Sequence, residues 1–562
     1  MGSTQSTSVR PSRPVRNMLL VYPEFSPTYW GLQYALPLLG RKAVMPPLGL
    51  LTIAAMTPEP YRFRLVDLNC RALDDEDLDW ADLVLISAML PQKQACFRVA
   101  DRARAAGKLV VLGGPFPTAC PDECSPHCDA MVLNEGEVTW PLFLRDLEQG
   151  CFEPVYTSEE KPDLTTSPCP RFDLIDVADY SVMPVQFSRG CPYRCEFCDI
   201  IVMFGRVPRT KQSCQLLREL DAIHAIGHRG LVFIVDDNFI GDRKKIMAML
   251  ADLRDWNQSH GHPFHYSTEV SVNLADDEAL MAAMQAAGLV RVFIGLETPA
   301  EESLKATKKT QNLKGSLLER VRTIQRAGFS VNGGFILGFD QDPEDICERQ
   351  LRFIAEAAIP GAMVGPLVAL PKTPLYERLQ REGRLLDDGD DTRRTVASGF
   401  TNIDTRIPLP RLIAGYGDMV RTLYTPRNYF RRSLESLRQI GEGMAQKTSF
   451  APGAAAPGGA VGAASGALAR IRPLWQLLKR MEPGYRWPAA RFALRVLVER
   501  PQHLGRATDL IVIGYHYHMF TFRHVLPEVD RYLRELSPDA AAAGSRPDAE
   551  PSHAGRGAPE PA

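Results

Sequence analysis

Residues 189–198 read RGCPYRCEFC, a stretch that places three cysteines in a C-x3-C-x2-C arrangement. Three thiolates are one fewer than the usual ligand set of an iron–sulfur cubane, so a cluster held there keeps one iron open for a substrate or cosubstrate. A zinc site or a disulfide is the alternative, but zinc would need a fourth Cys or His, and neither occurs within a dozen residues on either side. The pattern therefore predicts a [4Fe-4S] cluster bound by Cys191, Cys195 and Cys198.

This cysteine spacing, with Phe197 directly before the last thiol, resembles the signature of radical S-adenosylmethionine (SAM) enzymes. The resemblance implies that the open iron binds the amino and carboxylate groups of SAM. It also implies that an external electron donor of the flavodoxin or ferredoxin type drives cleavage of SAM to a 5′-deoxyadenosyl radical. The backbone of Phe197 is expected beside the adenine ring.

Length and composition narrow the class of protein. A chain of 562 residues is too long for one ordinary core and predicts about three or more domains. A net charge of −2 gives no global field that would favour nucleic acid as a partner. Twelve cysteines without a signal peptide fit a reducing cytoplasm, where thiols serve as metal ligands or packing residues. The sequence contains no run of 18 apolar residues, so no membrane-spanning helix is predicted.

Low-complexity composition marks three segments outside the expected domains. Residues 1–16 have no apolar core and are predicted to form a disordered leader. Residues 451–467 are rich in Ala, Gly and Pro, which is typical of a flexible linker. Residues 538–562 are similar in composition and are predicted to form a disordered tail.

Residues 17–150 alternate short apolar runs with helical patterns, which predicts a doubly wound, Rossmann-like α/β domain with a parallel sheet. The candidate strands are 17–23, 63–69, 81–90, 108–115 and 129–137. Such sheets bind ligands at the carboxyl ends of their strands. Those ends carry Gly113, Gly114, Glu135, Gly136 and Glu137, although glycines there fit ordinary tight turns equally well.

Placed directly before the cysteine triplet, this domain resembles the cobalamin-binding domain of class B radical SAM enzymes, as does the string MPPLG at 45–49. The resemblance implies that the residues at the strand ends contact cobalamin. The D-x-H-x-x-G motif, which supplies a histidine to cobalt in other cobalamin proteins, is absent from the sequence. Cobalamin is therefore expected to bind without a protein histidine below the metal.

A competing metal site lies in the same domain. Cys120, Cys124 and Cys128 recur every four residues beside His127, and helical spacing would bring the three thiols to one side. Two prolines, at 121 and 126, interrupt such a helix. A second metal site therefore remains an alternative use of this segment. The other cysteines are predicted to be packing residues: Cys70, Cys96, Cys151, Cys169, Cys214 and Cys347.

The strand–helix alternation restarts at residue 183, after a linker at 151–182, and continues to about residue 400. Six βα units suit a partial barrel, and the resemblance to radical SAM enzymes implies the (βα)6 form. Functional groups in such barrels lie at the C-terminal ends of the strands. The candidate strands are 183–190, 230–237, 264–271, 290–298, 331–339 and 361–370.

Polar and glycine residues end these candidate strands, and the resemblance assigns them to SAM. It implies that Asp236 and Asp237 lie near the amino group of SAM. It further implies that Glu269, Ser271 and Glu297 touch the SAM ribose or carboxylate, and that the glycine-containing fifth strand, which ends at Gly338, flanks adenine. Any one of these acids, taken alone, would fit an ordinary solvated carboxylate at a strand end. The sequence assigns no side chain a catalytic role.

The C-terminal third is predicted to be helical. A helical extension is expected at 401–450, and a basic amphipathic helical region at 468–537. Residues 468–523 carry ten Lys or Arg against three acids, a net charge of +7 in a chain whose total is −2. Two interpretations are open: a helical cap packed on the barrel, or contact with an anionic membrane or a lipid-like substrate.

Strings along nearly the whole chain, including PPLGLL, VDDNFIG, FIGLETP and LPKTPLYERLQREGRL, resemble the cobalamin-dependent radical SAM family that contains the hopanoid methylases. The resemblance implies a methyltransferase that acts on an unactivated carbon of an apolar small molecule or lipid. Oxidative cyclisation or rearrangement with the same cofactors is the alternative. A non-catalytic sensor would need an output module, and the sequence shows no such motif. The expected location is cytoplasmic, with peripheral contact at the inner face of the membrane.

Overall fold

The computed structural model describes residues 14–386, 401–440 and 473–535. Most of the leader predicted at 1–16 lies outside the described residues, as do the linker predicted at 451–467 and the tail predicted at 538–562. The described residues form two parallel sheets, each covered by helices, and a set of C-terminal helices. The predicted α/β architecture is confirmed.

The first sheet has six parallel strands in the order β2-β1-β3-β4-β5-β6. The chain thus starts inside the sheet and winds outward in both directions, as the doubly wound prediction requires. Residues on both faces of β1 are buried, which explains its continuous apolar run. The strands are β1 Asn17–Tyr22, β2 Arg62–Asp67, β3 Leu83–Ser87, β4 Leu109–Gly113, β5 Ala130–Val132 and β6 Val155–Tyr156.

Helices cover both faces of this sheet. The two longest, Lys93–Ala105 and Gly136–Glu148, have 13 residues each. The α-helices are Leu48–Met56, Asp75–Trp80, Lys93–Ala105, Pro115–Ala119, Pro121–Cys124 and Gly136–Glu148, and the 3-10 turns are Leu36–Leu39, Leu90–Gln92 and Ser125–His127.

The second sheet also has six parallel strands, and each strand neighbours the next along the chain, in the order β7-β10-β11-β12-β13-β14. Sequential order with helical crossovers produces a singly wound, open barrel, which confirms the predicted (βα)6 form. The strands are β7 Met183–Val185, β10 Gly230–Ile234, β11 Phe264–Val270, β12 Leu289–Glu297, β13 Ser330–Leu337 and β14 Ala362–Pro366. The helices are Ser213–Ala225, Arg243–Ser259, Glu278–Ala286, Glu301–Ala306, Leu317–Arg326, Ile346–Glu356 and Pro374–Arg381.

A two-stranded hairpin interrupts the first barrel unit. Strand β8, Ser188–Arg189, pairs antiparallel with β9, Arg209–Thr210. The hairpin joins the two ends of the loop that contains the cysteine triplet, together with the short helix Ile200–Met203. The predicted single strand at 183–190 is therefore two short strands, because the chain turns away from the barrel after Val185.

The C-terminal helices pack against the barrel, so the helical-cap interpretation is correct for this region. Arg432 donates to the carbonyls of Ile359 and Pro360, and Arg506 donates to the carbonyl of Gly328. Among the described residues, no helix combines the length and the apolarity needed to cross a bilayer. The helices are Leu409–Tyr424, Pro426–Gln439, Pro483–Glu499, Leu504–Phe520 and Leu526–Glu535, with a π-helical turn at Thr521–Val525.

Candidate active site

The loop that carries the cysteine triplet is anchored by a buried carboxylate. Asp236 accepts hydrogen bonds from the backbone N–H of Phe187 and Ser188, at 2.8 and 2.9 Å, and from the Ser188 hydroxyl at 2.6 Å. Burial raises the pKa of Asp236 to about 6, against the effect of these donors. Because its oxygens are occupied by the loop, Asp236 fixes where the loop begins.

Gly190 sets the direction in which the triplet leaves the hairpin. Its φ is +95°, and a Cβ placed there would lie 3.0 Å from the carbonyl oxygen of Gly205 and 3.1 Å from that of Val207. Its N–H donates to Asp237 at 3.0 Å. Any side chain at this position would strain the backbone and push the two sides of the loop apart.

The three cysteines lie together at the carboxyl edge of the barrel, with polar donors aimed at their sulfurs. Asn238 Nδ2 lies 3.9 Å from Cys191 Sγ, and Gln311 Nε2 lies 3.6 Å from Cys195 Sγ. Burial raises the pKa of Cys198 to about 12. Thiolates are therefore costly here without a compensating cation. Side-chain N–H donors around sulfur fit an anionic iron–sulfur cluster, whose properties such donors tune.

A buried lysine adds positive charge to this edge. Lys309 Nζ donates to Glu297 Oε1 at 2.7 Å and lies 5.8 Å from the centre of the Phe197 ring. Burial lowers the pKa of Lys309, but Glu297 and the thiols of Cys195 and Cys198 raise the pKa by more than burial lowers it. The net pKa lies above the ordinary lysine value, so the ammonium is held charged. A fixed cation beside three thiols favours their ionised, cluster-binding form.

No three His, Cys, Asp or Glu side chains in the described part of the chain are arranged to hold a single metal ion. A cubane differs from a zinc ion in this respect, because its ligands bind separate irons and need not converge on one point. The alternative site at Cys120, Cys124 and Cys128 instead belongs to the apolar core of the first domain, with Cys124 fully buried. His127 stacks on Phe97 rather than facing these thiols.

Three of the predicted acids converge on the lumen, the concave side of the barrel sheet. Asp237 and Glu269 each have a pKa raised to about 7 by burial and by carboxylate neighbours. Lys309 opposes the rise at Glu269. Glu297 occupies a left-handed conformation, with φ +62°. These acids would ionise most readily beside a cationic ligand.

The remaining predicted SAM residues border the same edge. Ser271 donates from its N–H and its hydroxyl to Asn238 Oδ1, both at 3.2 Å. The Phe197 ring lies 5.7 Å from the Phe339 ring. Gly338 donates its N–H to Asp342 at 2.9 Å. Asn238 thus connects the third strand end to the cysteine loop.

The strand ends of the first domain face the cysteine loop through buried ion pairs. Arg189 donates from both terminal nitrogens to Glu137, at 2.8 and 2.9 Å, and from Nη1 to Glu135 at 2.9 Å. Arg209 donates to both oxygens of Glu135, at 2.8 and 3.1 Å. The carboxylates predicted to face cobalamin are therefore engaged by the hairpin of the second domain.

The glycines at these strand ends relieve crowding inside the first domain. A Cβ on Gly113 would lie 3.2 Å from the Val132 carbonyl oxygen, and one on Gly136 would lie 2.7 Å from Ile53 Cδ1. Gly114 has φ +93° and would bring a Cβ to 2.6 Å from Ser87 Oγ. Packing alone accounts for all three glycines.

An aromatic pair lies deeper in the barrel lumen. Along β12, Val292, Ile294 and Leu296 pack into the main apolar core, so the alternate residues Phe293 and Gly295 face the lumen. The Trp30 ring lies 4.9 Å from the Phe293 ring and is 52% exposed. A residue from the first domain therefore lines the barrel interior.

Several of these residues were missed by the sequence reasoning. Arg189 and Asn238 each adjoin a predicted motif, and this adjacency was a usable signal. Lys309 and Gln311 follow the helix Glu301–Ala306, with Gln311 in the 3-10 turn Thr310–Asn312, and Trp30 lies far from any motif. No sequence spacing connects Lys309, Gln311 or Trp30 to the cysteine triplet, so only the folded structure shows that they belong to the site.

Comparison with known proteins agrees with this arrangement. Residues 38–144 match the B12 binding domain family, residues 185–353 match the radical SAM superfamily, and residues 373–527 match a domain of unknown function, DUF4070. An uncharacterized methyltransferase of Synechocystis sp. is 45% identical, over 75% of this chain and 79% of its own length. The hopanoid C-2 methylase of Rhodopseudomonas palustris is 38% identical, over 74% of this chain and 78% of its own length. The chain belongs to the cobalamin-dependent radical SAM methyltransferase family.

Membership of this family makes the chain an enzyme whose cofactors are a [4Fe-4S] cluster, SAM and cobalamin. The structure of the cobalamin-dependent SAM radical enzyme OxsB with aqua-cobalamin bound is similar in fold, with a TM-score of 0.58 and 14% identity, over 94% of this chain and 83% of that one. The methyltransferase TsrM of Kitasatospora setae has a TM-score of 0.54 and 15% identity, over 67% of this chain and 80% of that one.

Proposed function

We propose that this enzyme transfers a methyl group to an unactivated carbon of a large apolar substrate, with a hopanoid-like lipid as the first candidate. The observation that carries the proposal is the buried contact of Arg189 with Glu135 and Glu137. It brings the cobalamin-domain edge and the cysteine loop face to face. A substrate carbon in the lumen would then be reachable from both cofactor sites.

The lumen residues have charges suited to SAM. In this proposal Cys191, Cys195 and Cys198 hold the cluster, and Asp237 and Glu269 receive the ammonium and sulfonium charges of SAM. Lys309 keeps the thiols ionised and holds Glu297 in place. The other predicted contacts follow the same edge: Phe197, Ser271 and Gly338, with Asp236 fixing the loop.

The first domain is proposed to bind cobalamin at the edge formed by Gly113, Gly114 and residues 135–137. With both carboxylates held by arginine, we assign the contacts there to the backbone rather than to the Glu135 and Glu137 side chains. When bound, the three cofactors supply hydrogen abstraction and a transferable methyl group, and the protein binds, orients and excludes water. An external flavodoxin- or ferredoxin-like protein is the proposed electron donor.

The apolar part of the lumen supports a hydrophobic substrate. Phe293 and Trp30 are aromatic side chains with ring centres 4.9 Å apart, and a Cβ on Gly334 would meet Phe293 Cζ at 3.1 Å. The glycine therefore lets the Phe293 ring lie close to the sheet. Aromatic faces bind rigid ring systems through large buried area. The hopanoid C-2 methylase of R. palustris, 38% identical, supports the same substrate class.

The proposed reaction is tested by the mass of its product. Anaerobically reconstituted enzyme would be incubated with SAM, a reductant and diploptene, a hopanoid hydrocarbon, in detergent micelles. Methylation gives a product heavier by one methylene unit, whereas oxidative cyclisation gives a product that has lost hydrogens. The C191A/C195A/C198A variant should lose both the cluster and SAM cleavage, and the matched C120A/C124A/C128A variant should keep them. Hydrogen loss would replace the methyltransferase proposal with the cyclase alternative.

We also propose that the enzyme works in the cytoplasm and meets its lipid substrate through peripheral contact with the inner face of the membrane. An apolar lipid is scarce in water and must reach the lumen from a bilayer. The basic helices near the C-terminus are the region that the sequence favours for this contact. Deletion of the gene in its host, followed by mass spectrometry of total lipids, should remove one methylated lipid.

A further inference from the structure

The C-terminal helices carry an apolar surface that the packed core leaves uncovered. On the helix Pro483–Glu499, Trp487, Leu494 and Val498 are 64%, 62% and 76% exposed. Their spacing of seven and four residues places them along one side of the helix, with Arg491 between them. We call these three residues the apolar stripe.

The opposite side of the same helix explains why the stripe points outward. Its inward residues are buried among the C-terminal helices, where Phe430 stacks on Phe492 with ring centres 4.9 Å apart. The inward residues are Tyr485, Ala489, Phe492, Ala493 and Val496. The helix is thus apolar on two sides, and only one of them is needed for the fold.

Positive charge surrounds the apolar stripe. Residues 473–500 contain six Lys or Arg against two Glu, whereas the whole chain has a net charge of −2. Arg491 is exposed and has no hydrogen-bond or ion-pair partner in the described part of the chain. Residues 473–479 are helical and precede this helix. There Trp475 is 40% exposed, and Lys479 Nζ lies 5.7 Å from the centre of its ring.

Not all of the basic residues are available. Arg486 donates to the carbonyls of Leu478, Lys479 and Met481, so it joins the two helices instead of facing solvent. Arg495 is paired with Glu499 at 2.6 Å. Among the described basic residues of these two helices, Arg491 lies one turn from the exposed Trp487, and Lys479 lies beside the exposed Trp475.

We propose that the apolar stripe is a membrane-docking face whose partner is an anionic lipid bilayer. Tryptophan and arginine beside aliphatic residues are the composition that lies at the interface between headgroups and acyl chains. A cationic rim favours anionic headgroups. The proposal gives the domain of unknown function at 373–527 a role in membrane binding. The reason for such binding, access to a lipid, rests on the proposed function; the binding itself does not.

The helical segment that precedes the docking helix contacts the part of the first domain that enters the lumen. Arg480 donates to the carbonyls of Pro37 and Leu38, at 3.0 and 3.1 Å. This contact joins the helix of Trp475 to the first-domain segment 30–38. Trp30, at the start of that segment, packs on Phe293. A lipid leaving the bilayer at this face would meet the segment that lines the barrel interior.

Vesicle flotation with the full-length holoenzyme tests the docking face without turnover. Vesicles of phosphatidylcholine with and without phosphatidylglycerol would be compared. The W487S/L494S/V498S variant should float at least about fivefold less protein with the anionic vesicles. R491E should reduce flotation with anionic vesicles more than with neutral ones, because it reverses one interfacial charge. Circular dichroism would verify that each variant is folded.

The matched control removes the same number of exposed apolar side chains elsewhere. Leu142, Val155 and Val207 are 37%, 42% and 75% exposed, and L142S/V155S/V207S should float like the wild type. Equal flotation of the stripe variant and the wild type would overturn the proposal. So would a wild-type dimer that the stripe variant converts to a monomer, since a second copy would then cover the face. Flotation needs no reaction, so a failed methylation assay leaves this result unaffected.

Discussion

Arg189 and Glu137 form a two-point ion pair, with Nη1 2.9 Å from Oε2 and Nη2 2.8 Å from Oε1. Arg189 lies two residues before Cys191, and Glu137 lies in the first turn of the helix after β5. The pair therefore connects the loop of the proposed cluster to the edge of the cobalamin domain. Paired guanidinium and carboxylate groups fix orientation as well as distance.

Removing Arg189 should cost far more than removing the whole pair. R189A removes both guanidinium hydrogen bonds of the buried Glu137, which keeps only the Ser167 hydroxyl as a side-chain donor, while Glu135 stays paired with Arg209. The variant is expected to destabilise the protein by about 3 kcal/mol. The double variant R189A/E137A should recover part of that loss, because one stranded charge is gone. Urea unfolding of the wild type, R189A, E137A and the double variant measures the coupling between the two side chains. Additive losses would mean that the two side chains do not interact in solution.

Gly190 and Gly227 provide a matched test of the cysteine loop. Both have positive φ, +95° and +91°, but only Gly190 has carbonyl oxygens within contact distance of an added Cβ. G227A should cost about 1 kcal/mol from backbone strain and leave iron content unchanged. G190A should cost more and lower the iron bound after reconstitution. Equal iron content in the two variants would contradict the role assigned to Gly190.

The regular parts of both domains could be predicted because their signals are local. Predicted strands at 264–271 and 290–298 correspond to Phe264–Val270 and Leu289–Glu297 in the structure. Buried parallel strands read as short apolar runs, and polar residues follow where each run ends. The hairpin strand Ser188–Arg189 was not predicted as a separate element. It follows the barrel strand Met183–Val185 within two residues, so the sequence reads as one strand.

The long-range contacts of the site could not be predicted. The sequence gives no reason for Lys309 to meet Glu297, or for Trp30 to meet Phe293, because each contact joins separate elements. The basic C-terminal region shows a second limit. Helical periodicity identified its apolar residues, but it could not separate Phe492, which packs inward, from Leu494, which is exposed.

Glu269 should make the cofactor-free protein less stable as the pH rises. Its pKa is raised from 4.5 to about 7, so between those values the folded state binds more protons than the unfolded state. Stability is therefore highest below the unfolded pKa and falls as the pH increases towards 7, by up to about 1.4 kcal/mol per pH unit. E269Q should flatten this slope between pH 5 and 7, a window set by those two values.

The control for Glu269 is an exposed carboxylate. E301Q should leave the pH profile of urea unfolding unchanged, because the side chain of Glu301 is 73% exposed. An unchanged slope in E269Q would show that Glu269 is not the buried acid described here. Adding SAM should also reduce the slope in the wild type, if its positive charge ionises Glu269 as proposed.

Trp30 should control the coupling of SAM cleavage to product formation. Its ring packs on Phe293 at 4.9 Å and faces the lumen, so it is expected to hold the substrate without contacting the cluster. W30A should keep slow, substrate-independent SAM cleavage and lower methylated product by about tenfold, which corresponds to one lost aromatic contact of about 1.4 kcal/mol. W30F should restore most of the product, because a second ring still covers the wall. Quantifying 5′-deoxyadenosine and product from the same reaction separates the two effects. A parallel fall in both would assign Trp30 to the fold instead, and wild-type amounts of both in W30A would remove it from the substrate site.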